Sequence, residues 1–244
     1  KQCLVGSEMC IRDRYRSGSL ASKPILSSEA LSLIDSISPD DELRKILEHR
    51  TQELIEYQNL SYAKEYMSFV GNIFEKEQKT RSSSELSQNV AKYLFKLMAT
   101  KDEYEVARLS LKAELDSAIN KEFGKSAKIS YMLHPPFLKA MENIPILNML
   151  PGVKSKLALG SWFKVFYVML KNMKFLRGTP FDFMAWFSND VRKADRKALN
   201  HYKSILSNNI DEIGNGKYQD LKEFSILPDI ILSLIHISEP TRHC

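Results

Sequence analysis

The chain has 244 residues, of which 43% are hydrophobic and 27% charged, and its formal net charge is +5. This composition excludes a disordered polypeptide and suffices for one large or two small folded domains. No run reaches the roughly 18 to 20 apolar residues of a membrane helix, no signal-peptide pattern is present, and the mild charge does not favour nucleic-acid binding. We therefore expect a cytoplasmic protein that binds neither membrane nor nucleic acid.

Two short segments at the ends of the chain are related through their DNA. Back-translation of residues 232–242, LSLIHISEPTR, gives a DNA sequence whose reverse complement encodes residues 4–14, LVGSEMCIRDR. One DNA sequence read in both directions is typical of the transposase adapter used for sequencing libraries, whereas the alternative is a natural strand and a natural tail. We expect residues 1–14 and 232–244 to be adapter-derived and residues 15–231 to be a fragment of a longer chain.

The cysteines of the chain lie only in these end segments. They are Cys3, Cys10 and Cys244. The sequence therefore indicates neither a disulfide framework nor a CxxC metal or redox motif.

The predicted elements begin with residues 15–42, which form a linker or the end of a preceding domain and include a short predicted helix at 28–37. Ser38 as N-cap, followed by Pro39 at the first helical position, predicts the start of the next helix. Apolar residues then recur at helical spacing without a breaker. The pattern predicts one long helix, or two nearly collinear helices, over 39–79.

The next two helices are marked by predicted capping boxes. Ser82 with Glu85 opens the first, and Thr100 with Glu103 opens the second. The second helix is predicted to continue through EYEVARLSLKAEL towards Gly124, which would cap its end.

The pattern changes after this glycine. Alternating apolar and polar residues predict one small strand or extended element near 127–134, and a loop-rich passage follows. An aromatic-rich helix at 161–176, a helix from about 188 and a last helix leading to 227–229 complete the chain. The predicted fold class is mainly α, with 43–231 as one helical domain.

His134 is a candidate site residue because it stands before two prolines. Such a rigid, extended corner can aim a side chain. No second histidine or carboxylate stands at metal-ligand spacing, however, so a structural or exposed role is the favoured interpretation.

The segment KDEYEVARL places Asp102, Glu105 and Arg108 within about one helical turn. Paired carboxylates in a pocket would be candidates for acid–base catalysis. The favoured interpretation is a capped helix start, with Glu105 and Arg108 as an ion pair on an exposed face.

Four basic residues, Arg192, Lys193, Arg196 and Lys197, form two adjacent stripes on one predicted helix. Such a face could bind phosphates or an acidic partner. Because two aspartates interrupt it, a solvated surface is the favoured interpretation.

The turn RGTP separates Arg177 from Asp182. We predict that these two residues form a buried Arg–Asp lock between helices. The neighbouring Phe175, Phe181 and Phe183 are predicted to pack around it.

Several segments resemble, in order and spacing, the C-terminal region of the large fused indolepyruvate ferredoxin oxidoreductases of the 2-oxoacid oxidoreductase family. They are LIEYQNLSYAKEYMSFV (54–70), YLFKLMATKDEYEVARL (93–109), LHPPFL (133–138), LGSWFKVFYVMLKNMKFLRGTPFD (159–182) and LPD (227–229). The resemblance covers about residues 43–231. It departs at HPP, where Ala-Pro-Pro is more usual, which weakens a role for His134.

The resemblance implies an intact enzyme that converts arylpyruvates and coenzyme A to aryl-acetyl-CoA and CO2, with thiamine diphosphate and iron–sulfur clusters as cofactors and ferredoxin as electron acceptor. The cofactor motifs belong upstream, so it implies no cofactor and no catalytic residue here. It implies a helical accessory domain that packs on or assembles the catalytic domains, and a homo-oligomer is an open alternative. A second hypothesis is a binding module that contacts ferredoxin or a CoA phosphate through the basic helix face.

Overall fold

The computed structural model describes residues 26–113, 117, 119–121, 124, 131–133 and 157–238, and it is mainly α-helical, as predicted. Its helices are α1 (Ser28–Asp35), α2 (Asp41–Tyr57), α3 (Leu60–Thr80), α4 (Glu85–Met98), α5 (Glu103–Ser110), α6 (Lys164–Asn172), α7 (Phe183–Asn209) and α8 (Tyr218–Ser238). Short 3-10 helices are Ser161–Phe163, Met173–Leu176 and Ile210–Asn215. No helix among the described residues is long and apolar enough to cross a membrane.

The chain divides into two compact units. Unit 1 consists of Lys1–Ala99 with Asp195–Cys244, and unit 2 consists of Thr100–Ala194. The second boundary falls within α7. The sequence, by contrast, predicts one domain over 43–231, because no linker-like composition marks either boundary.

In unit 1, α2 and α3 fold back on each other. The Thr51 hydroxyl donates a hydrogen bond to the Met67 sulfur at 3.1 Å. Asn59 separates the helices: its backbone is extended and its side chain accepts a hydrogen bond from the amide of Tyr62. The prediction of nearly collinear helices is therefore wrong, because an asparagine that caps the next helix breaks the apolar pattern.

The start of α2 lies two residues beyond the predicted N-cap. Asp40, not Ser38, is the N-cap, and its carboxylate accepts a hydrogen bond from the amide of Leu43 at 2.9 Å. Ser38 instead adopts φ 50 in the preceding turn. An aspartate caps as well as a serine, and its charge also favours the positive end of the helix dipole.

The start of α4 is capped by a side chain from another helix. Glu77 of α3, fully buried, accepts hydrogen bonds from the amides of Leu86 at 2.9 Å and Ser87 at 2.8 Å, and from the Tyr218 hydroxyl at 2.8 Å. The N-cap residue of α4, Ser84, makes no side-chain capping bond, so the predicted Ser82–Glu85 box is wrong. The Glu85 amide, which Ser82 would satisfy in such a box, donates instead to the Ser83 hydroxyl at 3.4 Å, and the next two amides have Glu77 as acceptor.

The core of unit 1 brings the apolar stripes of its helices together. α8 packs on α4, and α2 packs on both α3 and α4. Fully buried members of this core include Leu43, Leu47, Leu54, Tyr66, Ile73, Leu86, Leu94, Leu206 and Ile210. Burial of this many large side chains accounts for the stability of the unit.

Unit 2 contains the strand that the sequence predicts. β1 (Tyr131–Leu133) pairs antiparallel with β2 (Leu157–Leu159), with Met132 opposite Ala158. Residues 127–130 and 134 of the predicted element lie outside the described residues. The sequence does not predict β2, because an apolar run this short cannot be assigned to a strand by periodicity.

A small apolar core holds α5 and α6 of unit 2 together. It consists of Tyr104, Ala107, Phe163, Tyr167, Leu170 and Met184. The Phe163 ring contacts Tyr167 edge-on, with centroids 5.0 Å apart. This core fixes α5 and the start of α7, and the predicted site residues Asp102, Glu105, Arg108 and Asp182 lie there.

α8 extends beyond residue 231, into the segment predicted to be adapter-derived. A helical backbone is compatible with either origin of these residues. Their adapter origin therefore stays a prediction.

Candidate functional site

The start of α5 is the centre of a polar cluster in unit 2. Asp102 is the N-cap, and its Oδ1 accepts a hydrogen bond from the Glu105 amide at 2.9 Å. The predicted capping box of Thr100 and Glu103 is wrong. Asp102 takes the capping position, and the Glu103 carboxylate accepts a hydrogen bond from Arg192 instead.

Arg177 forms a two-pronged ion pair with Asp102. Its Nε lies 2.5 Å from Oδ2 and its Nη2 lies 2.8 Å from Oδ1. The predicted lock thus exists, but with a different aspartate from the predicted Asp182. The same carboxylate that caps α5 also ties the helix to the end of the 3-10 helix Met173–Leu176.

Asp182 binds a different arginine. Its carboxylate, 1% exposed, accepts hydrogen bonds from Arg192 Nη1 at 2.9 Å, the Tyr104 hydroxyl at 2.9 Å and the Gly178 amide at 3.0 Å. Gly178 has φ +78, which favours glycine in this turn. Asp182 therefore connects α5, the turn and the start of α7.

Arg192 joins the cluster and is not part of an exposed basic face. Its other terminal nitrogen, Nη2, lies 2.6 Å from a Glu103 carboxylate oxygen, and its side chain is only 11% exposed. Lys193, Arg196 and Lys197 are exposed, as predicted for a solvated face. The prediction fails at Arg192 because its carboxylate partners are distant in sequence.

We define the polar cluster as Asp102, Glu103, Tyr104, Arg177, Asp182 and Arg192. Both guanidinium groups lie near the face of the Tyr104 ring, at 5.6 Å for Arg177 and 5.8 Å for Arg192. Burial raises the pKa of the Tyr104 phenol, and the hydrogen bond to Asp182 raises this pKa further. The ring thus interacts with both cations, while its hydroxyl donates a hydrogen bond to the buried Asp182 carboxylate.

Glu105 and Arg108 form a second ion pair on the same helix. Arg108 Nε lies 2.8 Å from Glu105 Oε2, and Nη2 lies 2.7 Å from Oε1. The pairing is as predicted, but both residues are buried and not on an exposed face. The i,i+3 spacing identifies the partners and carries no information on their burial.

The chemistry of the cluster is that of a structural lock. Each of its three carboxylates already binds an arginine, so none stands ready as a general base. No group of three or more His, Cys, Asp or Glu side chains within the described part of the chain could hold a metal ion. His134 lies outside the described residues.

A second feature of unit 2 is an exposed apolar surface on and before α6. We define the α6 outer face as Trp162, Val165, Val168 and Met169, which recur at helical spacing; Trp162 is 67% and Val165 is 76% exposed. Tyr167 and Leu170, on the opposite side of the helix, are buried. Phe175 and Phe181 are also exposed, so the prediction that they pack around the turn is wrong.

The sequence itself contains a signal for this outer face. The segment WFKVFYVML has apolar residues on all sides of the helix. Such a helix is typical of a fully buried element. One whose outer side is exposed has an apolar surface free for a partner.

Residues 43–239 match the family model DUF6537, which is described as a family of unknown function. The chain belongs to this family. The DUF6537 match includes all of the polar cluster and the α6 outer face, and it ends within the segment predicted to be adapter-derived. No curated protein and no solved structure matches the chain.

Proposed function

We propose that this chain is the C-terminal accessory region of a 2-oxoacid:ferredoxin oxidoreductase of the indolepyruvate type. Its role is to pack on or assemble the catalytic domains upstream, and it performs no catalytic step itself. The substrate, the thiamine diphosphate and iron–sulfur cofactors, and the ferredoxin partner belong to the parent enzyme in this proposal. The resemblance of the sequence blocks at 54–70, 93–109 and 159–182 supports the parentage.

The single observation that carries the docking role is the α6 outer face. Its four apolar side chains are each at least 47% exposed. Exposed, contiguous apolar surface with Trp and Met is typical of protein interfaces. The polar cluster supports the same role, because it fixes the starts of α5 and α7 while leaving no carboxylate without an arginine.

The described residues do not fit an iron–sulfur cluster held by thiolates. Thiolate ligation of an iron–sulfur cluster needs cysteines, and residues 26–238 contain none.

The first test concerns parentage. Genomic DNA upstream of residue 15 should encode thiamine-binding and ferredoxin-type cluster regions in the same reading frame. The 244-residue chain alone should not oxidise indolepyruvate, whereas the full-length parent should. An unrelated upstream gene, or turnover by the chain alone, refutes the proposal.

The second test concerns docking. Hydrogen–deuterium exchange compares α6 in the full-length parent with α6 in the 244-residue chain. We expect at least tenfold slower exchange of the α6 amides in the parent, and loss of this protection in the Val165→Ser/Met169→Ser variant. Leu227→Ser, an exposed apolar residue of α8, is the matched control and should leave α6 protection unchanged.

A second candidate function is the binding of ferredoxin or a CoA phosphate by the basic side chains of α7. The observation that favours it is the exposure of Lys193, Arg196 and Lys197, which form no ion pair with any residue in the described ranges. Replacement of these three residues by Ala should then weaken binding of either partner and reduce its salt dependence. Unchanged, salt-dependent binding rules out this function.

A further inference from the structure

Arg50 of α2 is a half-buried arginine that binds no carboxylate of the described residues. Its Nη1 donates a hydrogen bond to the Ile46 carbonyl at 3.2 Å, and its guanidinium carbon lies 5.7 Å from the centre of the Phe95 ring. Its Nε is buried and has no hydrogen-bond partner in the described part of the chain. Burial lowers the pKa of this guanidinium, which is the direction for a cation that no carboxylate compensates. Because a guanidinium stays charged in proteins, its burial without an anion costs free energy.

The other described arginines that are buried or half-buried all bind carboxylates; they are Arg44, Arg108, Arg177 and Arg192. Arg108 and Arg177 use the same edge of the guanidinium, with Nε bound to one carboxylate oxygen and Nη2 to the other. In Arg50 this edge has no acceptor within the described ranges. Its Nη2, unlike Nε, is not buried, so an anion can approach the edge from solvent.

We propose that Arg50 is a binding site for one carboxylate group, which its Nε–Nη2 edge binds in the two-pronged way that Arg177 binds Asp102. The planar fork of an arginine matches the two oxygens of a carboxylate. The contacts with Ile46 and Phe95 orient the guanidinium before binding, which reduces the cost of ordering it. Arg50 lies in unit 1, so this inference depends neither on the α6 outer face nor on the identity of the parent enzyme.

Phosphate is the other oxyanion that arginines commonly bind, and the balance of charge favours it less. Within the described part of the chain, the titratable groups that act on the charge of Arg50 are the Tyr66 and Tyr93 phenols, and no second cation is among them. Lys96, which follows Phe95 in sequence, is paired with Asp229. One guanidinium neutralises a carboxylate, whereas a phosphate ester carries a charge of about −1.5 to −2 at pH 7.

The ¹H–¹⁵N signal of Arg50 Nε in the 244-residue chain tests this proposal, with sodium acetate as the probe and sodium chloride of equal ionic strength as the reference. We expect acetate to shift this signal saturably and phosphate at the same concentration to shift it less. The Nε signal of Arg44, which donates to Glu48 at 3.2 Å, is the matched control and should not shift saturably. Acetate should also raise the urea midpoint of the unmodified chain, followed by far-UV circular dichroism, but not that of Arg50→Met.

Three results would overturn the proposal: no saturable shift with acetate, an equal response to phosphate, or equal stabilisation of Arg50→Met by acetate. None of these results bears on the parentage or the docking role of the proposed function.

The carboxylate has two possible sources, an Asp or Glu side chain elsewhere in the full-length parent or a small free carboxylate. Labelling of Arg50 by phenylglyoxal, followed by mass spectrometry, distinguishes them. Acetate should slow this labelling in the 244-residue chain. Slow labelling in the parent without acetate identifies a side chain as the source, whereas fast labelling that acetate slows identifies a free carboxylate. Fast labelling that acetate slows in neither protein overturns the site.

Discussion

Arg192 and Asp182 form a buried ion pair at 2.9 Å in which the arginine is 11% and the aspartate 1% exposed. Because the same guanidinium also binds Glu103, one side chain of α7 neutralises two carboxylates. Loss of one member of such a pair leaves its partner charged, buried and without its counter-ion. Replacement of only one of the two residues should therefore lower the stability of the protein.

Replacement of Arg192 by Met should lower the free energy of unfolding of unit 2 by about 3 kcal/mol, the usual cost of breaking a buried ion pair. Urea denaturation followed by tryptophan fluorescence measures this, because both tryptophans, Trp162 and Trp186, lie in unit 2. Lys193→Met is the matched control and should change the free energy by less than about 0.5 kcal/mol. Equal effects of the two substitutions would contradict the buried pair.

The identity of the N-cap of α5 gives a second prediction. Asp102→Ala removes both the capping bond and the ion pair with Arg177, so it should destabilise unit 2 by more than the roughly 1 kcal/mol of a cap alone. Asp102→Asn keeps an oxygen for the Glu105 amide and should have an intermediate effect. Thr100→Ala should have the smallest effect of the three. A larger loss in Thr100→Ala than in Asp102→Ala would restore the capping box of Thr100 and Glu103.

The sequence predicts which residues are important in unit 2 better than it predicts their partners. Glu105 and Arg108 are neighbours by helical geometry alone, so their pairing follows from the spacing. Arg177 and Asp102 are distant in the sequence, and only the packing of α5 against the 3-10 helix Met173–Leu176 brings them together. Spacing alone cannot identify such a pair.

The predicted starts of two helices are wrong for a related reason. Ser82 with Glu85 and Thr100 with Glu103 both satisfy the capping-box pattern, yet the start of each helix is capped by another carboxylate. The amides at a helix start can bind any acceptor that the tertiary structure places near them. Here the buried Glu77 accepts from α4 and the neighbouring Asp102 accepts from α5. The α6 outer face is missed because its apolar pattern is the same as that of a buried helix.

Glu77 carries the third prediction. Glu77→Gln replaces one carboxylate oxygen by an amide that cannot accept, so at least one buried donor among the Leu86 amide, the Ser87 amide and the Tyr218 hydroxyl loses its partner. We expect a loss of about 1–3 kcal/mol in the stability of unit 1, the cost of an unsatisfied buried polar group. Thermal unfolding followed by far-UV circular dichroism measures it.

Glu75→Gln is the matched control for this substitution. Glu75 lies on the same helix but is exposed and paired with Lys79, so its replacement should leave the unfolding midpoint nearly unchanged. A Glu77 variant as stable as the Glu75 variant would show that α4 does not depend on this cap.

The fourth prediction concerns alkaline pH. Burial raises the pKa of the phenols of Tyr66, Tyr104, Tyr202 and Tyr218 in the folded chain. In the unfolded chain the same phenols ionise near the ordinary tyrosine pKa of about 10. Above that pH the unfolded state loses protons that the folded state keeps, so stability is fully present below about pH 10 and falls as the pH rises further.

Urea midpoints measured at several pH values above and below the ordinary tyrosine pKa, together with tyrosinate absorbance, test this prediction. The four buried phenols should ionise at higher pH in the folded chain than in the unfolded chain. Each contributes up to about 1.4 kcal/mol of lost stability per pH unit above the pKa of the unfolded state. Tyr202→Phe removes one such phenol together with the hydrogen bond that it donates to the Ser225 carbonyl at 3.0 Å. The variant should therefore be less stable at neutral pH but should lose stability less steeply at high pH. An equally steep loss in the variant would mean that ionisation of Tyr202 does not contribute to the alkaline transition.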